Sequence, residues 1–509
     1  MFTKLVALCR PQSVQYLLAL IAGLLLPFAF APAAFYPLAI VAPALLLWLW
    51  LKASPKQAFW LGFTFGIGFF GLGVSWVYIS IHVFGNTAPL LAAFITALFI
   101  IILALYPAMQ GYLLTRFFPE NSFSKFYLVF PGGWVLLEWL RSWIASGFPW
   151  LLLGASQTNS FLKGYAPVIG EFGISFLVVL CSALLVSIFI YGWRVSHRIL
   201  LAFAAIWIIG GVLTQIHWTK AKGLPLTVTL VQGDVPQQLK WTPDFLKPTL
   251  ERYTKLSTPY WNTDLIVWPE AAIPDLLNNV QDFITDLRTQ AAEHYTTFII
   301  GVPVAEGFNY YNAMLLLHEN KQQLYYKRHL VPFGEYLPFE RWLRGLIGFF
   351  NIPMSNFSAG SMQQPLLQFN NIFIAPFICY EIAYQQEVLP ELPQANILVT
   401  ISNDAWFGHS FASAQHLQIG QLRALETGRY HLFTSNSGMT AIIDPQGNIQ
   451  ASLPPYQIAV LTGKVKSMVG ATPLVWMGGK PILIIIGLLV ILAYRLQRKS
   501  VKQFMQHTD

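Results

Sequence analysis

Charge is what this chain has least of. Only 11% of its 509 residues are charged, against 55% hydrophobic, where a soluble globular protein carries about 25% charged residues. One soluble domain along the whole length is therefore excluded. Acids are the scarcest: 19 of the 23 fall between His217 and Trp476, leaving Glu120, Glu138, Glu171 and Asp509 elsewhere. Two physically different parts are joined. Cysteine is nearly absent too, and Cys9, Cys181 and Cys379 are too few for a disulfide framework. That leaves Cys379 alone in the polar part. No Gly-x-x-x-x-Gly-Lys-Ser/Thr run occurs, which removes the phosphate-binding loop. The ten histidines, His409 and His416 among them, form no His-Glu-x-x-His set, so no metal and no other cofactor is expected. Repeats and low-complexity tracts are missing as well.

What is present divides by charge. Residues 218–474 hold 16 Lys and Arg against 19 Asp and Glu, a net of −3, while the rest holds 15 against 4, a net of +11. A basic excess confined to apolar sequence fits cytoplasmic loop charges and not a nucleic-acid surface, so no nucleic-acid partner is expected. A bilayer core takes roughly 20 helical residues to cross. Apolar runs of about that length lie near 14–30, 36–51, 58–80, 88–114, 127–144, 166–193, 200–217 and 476–494, giving about eight spans. Lys4 and Arg10, Lys52 and Lys56, Arg116 and Lys125, Arg194 and Arg198, and Arg495, Arg498, Lys499 and Lys502 then fall on one side, and the opposite loops are nearly bare. By the positive-inside rule both termini are cytoplasmic and the large domain faces outward. The expected organisation is a polytopic α-helical membrane domain over 1–217, an outward α/β domain over 218–474, and a last helix with a cytoplasmic tail over 475–509.

Cleavage of the first thirty residues as a secretory signal is the alternative, and it would spoil the alternation of loop charges. Gly62, Gly66, Gly68, Gly71 and Gly73 in the third span suggest close helix contacts. Glu138 and Arg141, three apart on one helix, are near enough to pair and too costly in a membrane to stand alone. After them Ser146-Gly147-Phe148-Pro149-Trp150 breaks the helix.

Beyond Leu224 the pattern changes to short β-rich runs at 226–232, 265–268, 298–302, 372–378 and 397–401, with helices over 274–293 and 412–429. Layered sheets with covering helices are expected. Reactive side chains sit just past these strands: Glu270 after Leu265-Ile266-Val267-Trp268-Pro269, Cys379 after 372–378, and Lys327 in Tyr325-Tyr326-Lys327-Arg328-His329. Each alone has an ordinary explanation as a turn residue, a buried inert thiol or a surface lysine. Together they supply a base, a nucleophile and a cation for an oxyanion, the three roles of acyl transfer.

On these residues the chain resembles the carbon-nitrogen hydrolase, or nitrilase, superfamily, and within it the apolipoprotein N-acyltransferase family. The order Glu270, Lys327, Cys379 matches the superfamily triad. Further matching segments are Glu138-Trp139-Leu140-Arg141, Gly147-Phe148-Pro149-Trp150, Val231-Gln232-Gly233, Trp268-Pro269-Glu270, Cys379-Tyr380-Glu381 and Ser402-Asn403-Asp404-Ala405-Trp406-Phe407-Gly408. The resemblance implies an αββα sandwich in a bacterial inner membrane, facing the periplasm. It implies that Glu270, Lys327 and Cys379 are catalytic, that Glu335 accompanies them, and that Trp241, Tyr380, Glu381 and Trp406 surround the acyl and substrate pockets. The implied reaction is ping-pong: Cys379 takes an acyl chain from a phospholipid, typically phosphatidylethanolamine, and passes it to the α-amine of a diacylglyceryl-modified apolipoprotein. The bilayer is the third implied partner, and a monomer is expected.

The apolar segment 342–354, with Phe349 and Phe350, is expected either to dip into the membrane interface as a lid or to be a buried helix. Two other readings stand beside this one. A membrane-anchored amidase would keep the triad and use water in the second step. A transporter would run a polar path past Glu138 and Arg141, but the sequence offers no matching pair of interrupted helices.

Overall fold

Each of the eight apolar runs contains helix. The computed structural model describes residues 11–191, 193–336 and 356–506. Among them, Gln12–Ala29, Pro89–Phe117, Phe161–Ile190 and Lys480–Arg498 are long and apolar enough to cross a bilayer, and Leu38–Trp50 and His197–Leu213 are shorter apolar helices. The run expected to continue through residue 80 is interrupted: one helix ends at Gly73 and the next begins at Trp76. Gly71 and Gly73 are weak helix formers. Just beyond them, the Ser75 hydroxyl donates back to the Leu72 carbonyl at 3.1 Å, an arrangement that bends helices.

The chain forms two units. One comprises Met1–Ser75, Ala93–Ile216 and Met477–Asp509, the other Trp76–Ala92 and His217–Trp476. Within the helical unit, close approach occurs at four of the five expected glycines. A Cβ at Gly62 would lie 2.3 Å from the Pro107 carbonyl oxygen and one at Gly66 2.6 Å from Ala104 Cα, whereas Gly71 faces open space. Glu138 and Arg141 both serve the helix break that follows them. Arg141 donates to the carbonyls of Phe148 (3.0 Å) and Trp150 (2.6 Å), and Glu138 accepts the Leu153 N–H at 2.9 Å. Buried backbone groups left without partners would be costly in a bilayer, so both charges have structural work there.

In the second unit the strands are β1 (Lys220–Gln232), β2 (Leu265–Val267), β3 (Thr297–Glu306), β4 (Asn309–His318), β5 (Lys321–Tyr326), β6 (Leu367–Phe369), β7 (Ile372–Ile378), β8 (Ile397–Ser402), β9 (Tyr430–Ser435), β10 (Thr440–Ile443), β11 (Ile449–Leu453) and β12 (Ala459–Val469). They make two six-stranded sheets, ordered β12-β1-β2-β3-β4-β5 and β11-β10-β9-β8-β7-β6. Strands β1, β2 and β3 run parallel, as do β7, β8 and β9, and the outer pairings are antiparallel.

Alternation along each strand builds the layers. Val228, Leu230, Leu265, Val267 and Ile299 meet Ile374, Ile378, Ile397, Val399 and Ile401 between the sheets. On the outer face of the first sheet, Ile266, Phe298, Ile300 and Leu315 pack with Tyr253, Ile284 and Leu287 of the helices Pro243–Ser257 and Gln281–Glu293. Each such side chain, fully buried, contributes about 1.5–3 kcal/mol. Helix Ala412–Thr427, buried along nearly its whole length, lies against β9, where His431 Nδ1 is 3.0 Å from the Gly420 carbonyl oxygen. The helix expected from 274 begins at Gln281 instead. Asp275 Oδ1 takes the Leu276 N–H and the Asn279 amide at 2.7 and 2.9 Å, a local turn that competes with helix.

Candidate active site

Parallel strands gather their C-terminal ends, and in open α/β sheets ligand sites form there. Glu270 follows β2, Lys327 follows β5, which runs the same way as β3, and Cys379 follows β7. Three residues distant in sequence thus stand at one end of the sandwich. Glu270 can turn inward because β3 carries Gly301 opposite it: a Cβ there would lie 2.6 Å from Glu270 Cα and 2.4 Å from the Pro269 carbonyl oxygen.

Lys327 Nζ is 2.9 Å from Glu335 Oε1 and 3.6 Å from Glu270 Oε1. Between the two carboxylates lies Asn312 of β4, whose Nδ2 donates to Glu270 Oε1 at 2.7 Å and to Glu335 Oε1 at 3.0 Å. Val331 N–H donates to the other Glu335 oxygen at 2.8 Å. Burial opposes the Lys327 charge, but Glu335 and Glu270 outweigh it and hold the ammonium well above the ordinary lysine range. Lys240, itself buried, donates from Nζ to the Glu270 carbonyl oxygen at 3.1 Å; burial pulls it down to about 8 despite the attraction of Glu270.

Cys379 opens a short 3-10 turn, Cys379–Ala383, with φ +55°. A non-glycine residue there stores about 1–3 kcal/mol and persists only where its surroundings over-determine it. The half-buried thiol is pushed well up, by burial first and then by the Glu270 carboxylate, against the pull of Lys327 and a Ser402 hydrogen bond. Its resting form is therefore the thiol. Glu381 clamps the arrangement from behind: one oxygen accepts the Ile378 N–H (2.7 Å) and the Tyr325 hydroxyl (3.0 Å), the other the Arg328 and His329 N–H groups at 2.5 and 3.2 Å. One buried carboxylate thus holds the residue before Cys379 and the residues after Lys327. Burial and the nearby Glu387 push it up to about 7, against Lys327, Arg328 and the Ile378 N–H.

Comparison with known proteins accounts for both units. The model of the apolipoprotein N-acyltransferase N-terminal domain matches residues 22–184 and that of carbon-nitrogen hydrolase matches residues 213–474. An apolipoprotein N-acyltransferase of Coxiella burnetii is 44% identical over 482 residues, 94% of this chain and 99% of that protein. The chain belongs to the apolipoprotein N-acyltransferase family. A second relative of that name, from Methylococcus capsulatus, is 43% identical over 469 residues, covering 91% of this chain and 93% of its own. A solved CN-hydrolase superfamily protein from Xanthomonas campestris aligns over 48% of this chain and 92% of its own, with a TM-score of 0.37 and 20% identity.

The residues expected around the pockets of an apolipoprotein N-acyltransferase occupy different places. Glu335 pairs with Lys327, and Glu381 bonds Ile378 and Arg328, the neighbours of Cys379 and Lys327 in the chain. Trp241 closes the short helix Gln237–Lys240, next to Lys240. Tyr380 is half-buried, its ring 5.9 Å from His329 and 5.0 Å from Tyr384. Trp406 is half-buried too, with its ring 5.7 Å from Phe84 and its carbonyl accepting the Ser80 hydroxyl at 2.8 Å. Phe349 and Phe350 lie outside the described residues. Sequence reasoning missed Asn312 and Lys240. The hint of the first was an amide set between the aromatic pair Tyr310-Tyr311 and the apolar run from Ala313; the second had no signal beyond its place before Trp241.

Proposed function

We propose that Cys379 carries an acyl chain from a phospholipid, such as phosphatidylethanolamine, to the α-amine of an S-diacylglyceryl-cysteine at the N-terminus of an apolipoprotein. Glu270 takes the thiol proton as the sulfur bonds to the ester carbonyl. Lys327 steadies the oxyanion. The carbon–oxygen bond then breaks, Glu270 returns the proton to the departing glycerol oxygen, and a lysophospholipid leaves. In the second half the α-amine attacks the thioester, gives its proton to Glu270, and the carbon–sulfur bond breaks to regenerate the thiol. A thioester is activated towards an amine and the amide product is comparatively inert, so the sequence runs downhill without nucleotide or metal.

The observation that carries this reading is the Lys327 ammonium set between Glu270 and Glu335 and electrostatically coupled to Cys379. A thiol pushed up in its resting state needs a base at hand, and Glu270 supplies it. Trp241, Tyr380 and Trp406 line the acyl and acceptor pockets, and Glu335 and Glu381 hold the triad. Residues 1–217 and 475–509 cross a bacterial inner membrane about eight times with both ends cytoplasmic, residues 218–474 work in the periplasm, and the chain acts as a monomer. Both substrates are lipids, which gives a hydrolase-like domain a reason to be attached to membrane helices.

The test is intact mass of the detergent-solubilised protein after incubation with phosphatidylethanolamine. One added acyl group in wild type, absent in Cys379→Ala and Glu270→Gln and discharged by a diacylglyceryl lipopeptide, is the expected result. Rapid release of free fatty acid with no dependence on the lipopeptide would replace the transferase with a hydrolase.

A further inference from the structure

Behind the Cys379 turn lies a buried histidine that the acyl-transfer chemistry above does not use. His416, on helix Ala412–Thr427, is fully buried. Its Nε2 is 3.1 Å from the Cys379 carbonyl oxygen and its Nδ1 is 3.0 Å from Asp404 Oδ1. A carbonyl only accepts hydrogen bonds. Nε2 therefore carries the hydrogen shared with the Cys379 carbonyl, while Nδ1 faces the Asp404 carboxyl.

The Asp404 carboxyl is itself held in place: Ser402 donates to Oδ1 at 2.6 Å and Ser413 to Oδ2 at 2.9 Å. Gly438 leaves room for it, since a Cβ there would lie 2.4 Å from Oδ2. Phe433 meets the imidazole edge-on at 4.9 Å, and Phe407 at 6.4 Å. His431, a further titratable group coupled to the ring, is held down to about 4 by burial and so is uncharged at neutral pH.

We infer that His416 is a positioning residue for the nucleophile: oriented by Asp404, it anchors the Cys379 carbonyl and keeps the strained left-handed turn that sets the sulfur beside Glu270 and Lys327. The inference rests on Cys379 being the acyl carrier proposed above. His416 exchanges no proton in either half-reaction. Its work is geometric, and displacement of a reacting group by about 1 Å can cost roughly 100-fold in rate.

Two near-isosteric replacements separate its contacts. In His416→Gln the amide nitrogen reaches the place of Nε2 and can donate to the Cys379 carbonyl; in His416→Asn it reaches only the place of Nδ1, towards Asp404. The readout is the rate of acyl-adduct formation on Cys379 of the full chain in detergent, across phosphatidylethanolamine concentrations, together with the unfolding midpoint. His416→Asn is expected to be about 100-fold slower at saturating phospholipid with unchanged KM, and His416→Gln to recover to within about tenfold of wild type, although both lower the midpoint alike.

Equal loss in both, no loss in either, or a loss confined to KM overturns the inference. Should those two proteins fail to fold, Asp404→Asn and Asp404→Leu decide. The first can donate to Nδ1 of a neutral ring and leave the Nε2–H on the carbonyl, so it should stay within about tenfold, while the second should lose about 100-fold. Equal rates there overturn the inference as well. Wild type forming no adduct overturns both readings, whereas adduct in wild type with indistinguishable variants overturns this one alone.

Discussion

Replacing Asn312 tests whether the two carboxylates around Lys327 are held apart by one amide. Asn312 is 6% exposed and donates to both Glu270 and Glu335. A hydrogen bond to a charged group is worth about 1.5–3 kcal/mol, and burying a leucine side chain in its place returns about 1.5–3 kcal/mol at most. Asn312→Leu should therefore cost about 2 kcal/mol overall, a drop of roughly 4–8 °C in the unfolding midpoint for a domain of this size. Asn312→Asp changes fewer atoms but places a third carboxylate about 3 Å from the other two, where like charges resist joint ionisation. It should be the more destabilising of the two. Both should slow acyl-adduct formation by about 100-fold, because Glu270 loses the partner that orients it, with little change in the phospholipid KM. Intrinsic tryptophan fluorescence on heating and time-resolved intact mass read the two quantities. An Asn312→Asp protein as stable and as fast as Asn312→Leu would refute the reasoning.

Two further outcomes follow from the same geometry. Glu381 is raised to about 7 from an ordinary 4.5, so between those values the folded chain holds a proton that the unfolded chain has lost. Its contribution to stability is full below about 4.5 and falls as pH rises to about 7, by about 3 kcal/mol if the whole shift is expressed. The difference in unfolding midpoint between wild type and Glu381→Gln should therefore change across pH 5–7, and a pH-independent difference would contradict the assignment. Gly301→Ala puts a methyl 2.6 Å from Glu270 Cα; adduct formation should drop by about 100-fold with the sheet intact by circular dichroism, and an unaffected rate would show that the Glu270 loop yields freely.

Much of the site was legible because strands announce their own ends. Apolar runs stop at Val267 and Ile378, and Glu270 and Cys379 follow soon after them, while Lys327 stood out as a cation among aromatics. The strands at 372–378 and 397–402 were readable as short β-branched runs. Strand β4, written Asn-Tyr-Tyr-Asn-Ala-Met-Leu-Leu-Leu-His, and β5, rich in glutamine, were not, because their pairing depends on a sheet already formed. The interruption at residues 74–75 escaped for a related reason: apolar composition continues through it, and a side-chain bond from the Ser75 hydroxyl to the Leu72 carbonyl is what accompanies it.

What the sequence determined by itself was therefore the division into an apolar, acid-poor part and a near-neutral α/β part, with Glu270, Lys327 and Cys379 singled out as candidates. These follow from local composition and from motifs written along one stretch of chain. The tertiary structure alone decided that Asn312 bridges Glu270 and Glu335, that Glu381 ties the residue before Cys379 to the residue after Lys327, and that His416 and Asp404 stand behind Cys379. Their partners lie 12 to 53 residues away in the chain, except for the Ile378 N–H. Hydrogen bonds over such separations have no periodicity to read. They exist only once two sheets have brought the C-terminal ends of their strands together.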